Sequence, residues 1–189
     1  MRGRDMFKRY KKWILLLSDF YGLFPAKTLK RKLAGIRKLP GTIALVKRYA
    51  LLRALAKSIG DNVSIFSDVY LINPENIKIG NNVSIQPMTY IEAVGGVSIG
   101  SDVSIAEGVS MFSANHGYSD ISIPIKDQEL VLLPIVIEDN VWIGAKATIL
   151  GGVTLSSGTI VAAGAVVHDS TEKNATVAGV PAKTIKIRK

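Results

Sequence analysis

The amino-acid sequence predicts an all-β parallel solenoid of about six coils, interrupted by one projecting loop and preceded by a short α-helical segment. Three successive blocks of 20 residues open with nearly the same phrase: Ile-Gly-Asp-Asn-Val-Ser-Ile at 59, Ile-Gly-Asn-Asn-Val-Ser-Ile at 79 and Ile-Gly-Ser-Asp-Val-Ser-Ile at 99. Self-similarity at a fixed period is the signature of a repeat architecture. Within the blocks, large apolar residues recur every six positions, as Ile59, Ile65, Leu71, then Ile79, Ile85, Ile91, then Ile99, Ile105, Met111. Neither a helix, of period 3.6, nor a strand, of period 2, produces such a spacing.

A period of six is that of a coil with three short sides, each sending one aliphatic side chain inward to stack on its equivalents above and below. One coil cannot bury its own face, but stacked coils can. Val63, Val83 and Val103 complete the interior, which leaves the Ser64, Ser84, Ser104 column facing outward. Gly60, Gly80 and Gly100, with the Asp or Asn residues that follow them, are assigned to tight corners, where unusual backbone angles cost least in these residue types. The period resumes at Ile137, Ile143, Ile149, Leu155, Val161 and Val167 with 18 residues per coil.

Between Met111 and Ile137 there are about 18 residues more than the pattern needs. A degenerate extra coil would account for the number. A projecting loop at about 117–134 fits the residues better, since they lack the Ile-Gly signature, contain Pro124 and carry the polar run Lys126, Asp127, Gln128, Glu129.

Residues 1–57 show no six-residue period. Tyr10, Ile14, Leu17, Tyr21 and Phe24 instead recur at intervals of four and three, the spacing of one helical face, and a second helix is expected from about Thr42 to Ser58. The chain thus divides into a basic helical segment, 1–57, and a repeat domain, 58–189. The net charge of +9 divides at the same place: residues 1–57 carry 16 Lys/Arg against Asp5 and Asp19, a balance of +14, and the remainder has 8 Lys/Arg against 13 Asp/Glu, a balance of −5. Two readings of the basic segment stand side by side, an interfacial segment held against anionic lipid and a helical cap over the first coil. Its apolar content and the lack of a recognised motif argue against nucleic acid. The apolar run Trp13 to Leu17 is far shorter than the roughly 20 residues needed to cross a bilayer, so neither a transmembrane span nor a signal peptide is expected, and the protein is expected in the cytoplasm, with peripheral contact at the inner face of the membrane.

Absence of cysteine removes disulfides, thiolate zinc sites and cysteine nucleophiles together. Of the two histidines, His116 lies in the segment Ala114-Asn115-His116-Gly117-Tyr118, at the outward position that Asn76 and Gly96 hold in the preceding coils. A lone histidine serves structure more often than catalysis. Trp142 falls on the outward column otherwise filled by serine, and either a ligand or the 117–134 loop must cover it.

The run DNVWIGAKATILGGVTLSSGTIVAAGAVV at 139–167, followed by VAGVPAK at 177–183, closely resembles the terminal segment of the galactoside, maltose and xenobiotic acetyltransferases of the hexapeptide-repeat family. The resemblance covers roughly residues 59–185, and the segment around His116 is similar to the polysaccharide and lipopolysaccharide O-acetyltransferase branch. It implies a left-handed coil, against the usual right-handed crossover preference, acetyl-coenzyme A as donor without a metal, and a homotrimer with sites between subunits. It also implies O-acetylation of a sugar hydroxyl on a surface polysaccharide or lipid-linked glycan, with N-acetylation of a nucleotide-linked amino sugar as the alternative.

The same resemblance makes His116 the general base that takes the acceptor proton, a task suited to an imidazole. Glu92 and Asn115 are placed with Trp142 at the acceptor, Glu92 also as a group to orient the imidazole, although a solvated surface carboxylate is an equal reading. Trp142, Gly144, Ala145, Ala162 and Ala163 are placed along the coenzyme, and Lys183 at its phosphates. Relatives commonly have Val-Thr-Lys-Asp where this chain has Val167-His168-Asp169, so His168 either substitutes for that lysine or is an exposed corner residue. Two histidines fall short of the three zinc ligands used by β-helical carbonic anhydrases.

Overall fold

The computed structural model describes residues 3–189, with side chains from Phe7 onward. Three helices, α1 (Gly3–Gly22), α2 (Ala26–Gly35) and α3 (Thr42–Leu55), precede a parallel β-solenoid of about six turns. Its short strands stack into three sheets, which form faces I, II and III of a triangular prism. The six-residue period becomes three interior ladders: Ile59, Ile79, Ile99, Ile137 and Leu155 on face I, Ile65, Ile85, Ile105, Ile143, Val161 and Val177 on face II, and Leu71, Ile91, Met111, Ile149 and Val167 on face III. Apart from half-buried Leu71, every one of these side chains is buried.

The corners differ from expectation in one respect. At the corner between faces I and II the left-handed residues include Asn62, Asn82, Asp102 and Asn140, one position before each valine, with φ of 56° to 58°. The preceding glycines answer a different need: a Cβ on Gly60 would lie 2.7 Å from the backbone of Gly80 in the next coil, so only glycine lets the coils approach. The asparagine column is tied along the prism, Asn62 Nδ2 donating to Asn82 Oδ1 at 3.0 Å and Asn82 Nδ2 to Asp102 Oδ1 at 3.1 Å.

All insertions fall on the edge between faces III and I. A 3-10 turn at Pro74–Asn76 and a turn at 93–96 lengthen the first coils there. The third insertion is an antiparallel hairpin with stems Ala114–His116 and Leu130–Leu132, so the extra residues make a projection and not a coil.

The first coil of a solenoid has no predecessor to hydrogen-bond its carbonyls, and buried orphan carbonyls are costly. Helix α3 supplies the donors. Arg48 Nε donates to Ile65 O at 2.7 Å, Tyr49 Oη to Gly60 O at 3.0 Å and an Arg53 terminal nitrogen to Ile59 O at 2.9 Å. Arg48, 3% exposed, also donates to Ile36 O and Leu39 O, and its burial lowers the guanidinium pKa, with Asp68 opposing the shift. The basic segment is therefore a cap. Ile14 packs into the main core, while Tyr21 and Phe24 pack with Leu29, Leu51 and Leu55 of α2 and α3. Helix α2 was not expected, because ten residues bearing three lysines and an arginine show too short an apolar pattern.

Replacing Arg48 with methionine keeps most of the side-chain volume but strands the three carbonyls. Chemical denaturation should show a loss of roughly 2–3 kcal/mol, the range for unsatisfied buried groups facing a charged donor. A loss within 0.5 kcal/mol, the range of about ±0.5 typical of neutral surface changes, would mean that α3 does not cap the prism.

Candidate active site

The edge between faces II and III is lined by small residues in consecutive coils. Strand register and ladder bonds align Ala106, Gly144, Ala162 and Ala178, and the antiparallel return of Ala182–Ile187 on Ala175–Gly179 sets Lys183 opposite Ala178. Gly144 must be small, because a Cβ there would lie 2.6 Å from Ala163 N and 2.8 Å from Val161 O. Ala145 is half-buried and Ala163 exposed, with Gly164 N donating to Ala145 O, so backbone lies open along this edge. An extended ligand could run there between short side chains, with Lys183, 70% exposed at its side chain, at one end.

Trp142 stands beside this edge on face II, in register between Ser104 and Ile160 and 54% exposed. It borders an open groove of 390 Å³ with Asp102, Ser104, Asn140, Ile160 and Arg188. No residue of the 117–134 loop lines that groove, so the loop of the same protomer does not cover the tryptophan. Arg188 had no signal in the sequence: the C-terminal hairpin folds it back, where it donates to Gly158 O at 2.8 Å. Just past the last strand of face III, His168 Nδ1 lies 3.1 Å from Asp169 Oδ1 and Lys183 Nζ 3.9 Å from Asp169 Oδ2, so histidine and lysine share one carboxylate.

His116 lies elsewhere. The chain leaves the prism at Ser113, earlier than expected, and His116 is an exposed stem residue of the hairpin paired with Leu130, not a member of an outward coil column. Asn115 pairs with Val131 in the same stem and is also exposed. Among the described residues none hydrogen-bonds the imidazole. Glu92 in particular does not orient it: its carboxylate accepts the backbone N–H groups of Val94 and, at 3.1 Å, Ser113, which clamps the root of the hairpin. The hairpin braces its own tip, with Gln128 Nε2 donating to Asp120 O and Ile123 O, and its outer surface exposes Tyr118, Ile121, Ile123, Ile125, Leu130 and Leu132.

The fold thus gathers Trp142, Gly144, Ala145, Ala162, Ala163 and Lys183 at one edge and places Glu92, Asn115 and His116 at another. The hairpin leaves by the edge opposite face II, so one protomer does not bring His116 and Trp142 together.

The prism shares its fold, a left-handed parallel β-helix, with solved acetyltransferases. The family model for bacterial transferase hexapeptide repeats matches residues 134–169. Among solved structures, the chain is similar to a maltose O-acetyltransferase from Clostridium difficile 630, with a TM-score of 0.76 and 25% identity, covering 86% of each chain. It is also similar to a hexapeptide-repeat-containing acetyltransferase from Vibrio cholerae O1 biovar eltor, complexed with acetyl coenzyme A, with a TM-score of 0.75 and 26% identity, covering 86% of this chain and 88% of that one. A curated relative, the 2,3,4,5-tetrahydropyridine-2,6-dicarboxylate N-acetyltransferase of Staphylococcus aureus, is 57% identical over 53 residues, which span 28% of this chain and only 22% of the relative.

Because Trp142 is exposed and Gly144 is enclosed, the two should respond oppositely to substitution. Trp142→Ala should leave stability within about 0.5 kcal/mol, whereas Gly144→Ala should lower it by roughly 1–3 kcal/mol through overpacking. Thermal melts of the two variants check the contrast, and a collapse in Trp142→Ala would mark the tryptophan as core.

Proposed function

We propose that the protein is an acyltransferase that moves the acetyl group of acetyl-coenzyme A to a sugar hydroxyl of a surface polysaccharide or lipid-linked glycan. The observation that carries this reading is the small-residue edge beside Trp142, ending at Lys183, in a fold whose solved relatives include one complexed with acetyl coenzyme A. The open backbone of Ala145, Ala162 and Ala163 suits an extended pantetheine arm, and Lys183 suits a phosphate, with His168 and Asp169 adjoining it.

The acceptor hydroxyl is a weak nucleophile at neutral pH. In the proposed reaction His116 takes its proton as the oxygen bonds to the thioester carbonyl carbon; the carbon–sulfur bond then breaks, and the coenzyme sulfur leaves with the proton returned from the imidazole. Asn115 and Trp142 contact the acceptor. Glu92 serves by fixing the root of the hairpin rather than by touching the imidazole. Since His116 and Trp142 lie on opposite parts of one prism, the site requires two protomers, and a homotrimer closes such an arrangement three times by symmetry. The exposed apolar hairpin suits burial against the neighbouring prism. The protein acts in the cytoplasm, against the inner face of the membrane, where lipid-linked glycan acceptors are presented.

Transfer to an amino group is the competing reading, favoured by the N-acetyltransferase of Staphylococcus aureus. Hydroxyl and amine acceptors assayed side by side with acetyl-coenzyme A decide between them.

His116→Ala should lower kcat by roughly 10²–10⁴-fold, the usual contribution of a positioned general base. Coenzyme binding should survive, because its proposed contacts lie on another edge. A folded variant with near wild-type rate would remove His116 from the mechanism. Sedimentation velocity should show a trimer; a fully active monomer would overturn the shared site.

A further inference from the structure

Helix α1 is apolar on two neighbouring faces, and the chain covers only one of them. Ile14 and Ser18 are buried against α3, and Tyr21 and Phe24 pack beside α2. A second set at three- and four-residue spacing, Trp13, Leu16, Phe20 and Leu23, is 71%, 49%, 54% and 81% exposed. At about 100° per residue Trp13, Leu16 and Phe20 occupy a sector roughly 60° wide, next to the buried one, and Leu23 follows in the turn just past the helix end. A cap needs a single apolar face, so the second stripe has no role in covering the prism. Sequence periodicity had marked only the first.

The charges around the stripe indicate what covers it. Lys8, Arg9 and Lys12 are exposed within a turn or two of Trp13, and Lys27, Arg31, Lys32 and Lys38 are exposed on and just beyond α2. Residues 1–57 carry 16 basic side chains against two acidic ones, and Asp19 is the sole acid in the stripe's own stretch of helix. A second copy of so basic a segment would be repelled. A bulky apolar stripe with cations beside it, on a helix too polar to span a bilayer, has the form of a helix lying in the plane of a membrane interface.

We propose that α1 docks on an anionic lipid surface, inserting Trp13, Leu16, Phe20 and Leu23 at the headgroup boundary while Lys8, Arg9 and Lys12 meet lipid phosphates. The proposal rests on the membrane placement above and is independent of the acyl-transfer chemistry. It also explains why the cap carries the chain's positive charge while the prism is acidic: the surface attraction is confined to the end that docks.

The test uses the full-length protein with vesicles of phosphatidylcholine containing phosphatidylglycerol, and of phosphatidylcholine alone. Wild type should cosediment with the anionic vesicles, more weakly as salt rises, and show a blue shift of Trp13 emission in a Trp142→Phe background. The double variants Trp13→Ser/Phe20→Ser and Leu16→Ser/Leu23→Ser should each lose binding by about tenfold or more, as removal of interfacial apolar area requires. Their sedimentation in solution should be unchanged, because the buried face of α1 is untouched. Equal vesicle binding by wild type and both variants, or no binding by wild type, overturns the proposal. A changed oligomeric state in the variants also overturns it and assigns the stripe to a second copy of the chain. Acetyl transfer to a soluble hydroxyl acceptor, measured on the two double variants with Trp142 retained, should match wild type, so docking and chemistry fail or succeed separately.

Discussion

Each coil hands its backbone amides to the carbonyls of the next, and this ladder governs the molecule. Gly60 N donates to Ile79 O at 2.9 Å, Gly80 N to Ile99 O at 2.8 Å and Gly100 N to Ile137 O at 2.7 Å. Bonds of this length hold only if successive coils stay in register on all three faces. The corners must therefore be narrow, which puts Gly60, Gly80 and Gly100 where coils touch and asparagine or aspartate at the positive-φ positions before Val63, Val83, Val103 and Val141. Any surplus residues must leave the prism at one place, and in this chain they leave along the edge between faces III and I.

The candidate site follows from the same constraint. At the edge between faces II and III no residue is inserted, so the coils stack directly and leave no room for a Cβ at Gly144 against Ala163 N and Val161 O. At the edge between faces III and I the ladder yields to a hairpin, whose root is clamped by Glu92 and whose stem carries His116. The small-residue track and the projecting stem thus lie on different edges of one prism, and the proposed site between protomers rests on that separation.

The ladder also creates the need for α3. A solenoid's first coil ends in carbonyls with nothing above them, and Arg48, Tyr49 and Arg53 provide donors there. An arginine can do this where a lysine could not, because its planar head reaches Ile65, Ile36 and Leu39 at once. The cap then brings α1 across the top with one apolar face used and the other turned to solvent.

What the sequence by itself determined was local and periodic: the six-residue recurrence, the inward aliphatic ladders, the outward serine column interrupted by Trp142, and the surplus between Met111 and Ile137. Each depends on side-chain spacing along a few residues, which a coil repeats without change. Tertiary structure decided the features that join distant segments. It set Arg188 beside Trp142 through an antiparallel return, and gave Glu92 to Ser113 instead of His116. It moved His116 from a coil column to a hairpin stem and chose which apolar face of α1 would be buried. No periodicity encodes these, because each depends on which donor, acceptor or surface arrives from elsewhere in the chain once the coils have stacked.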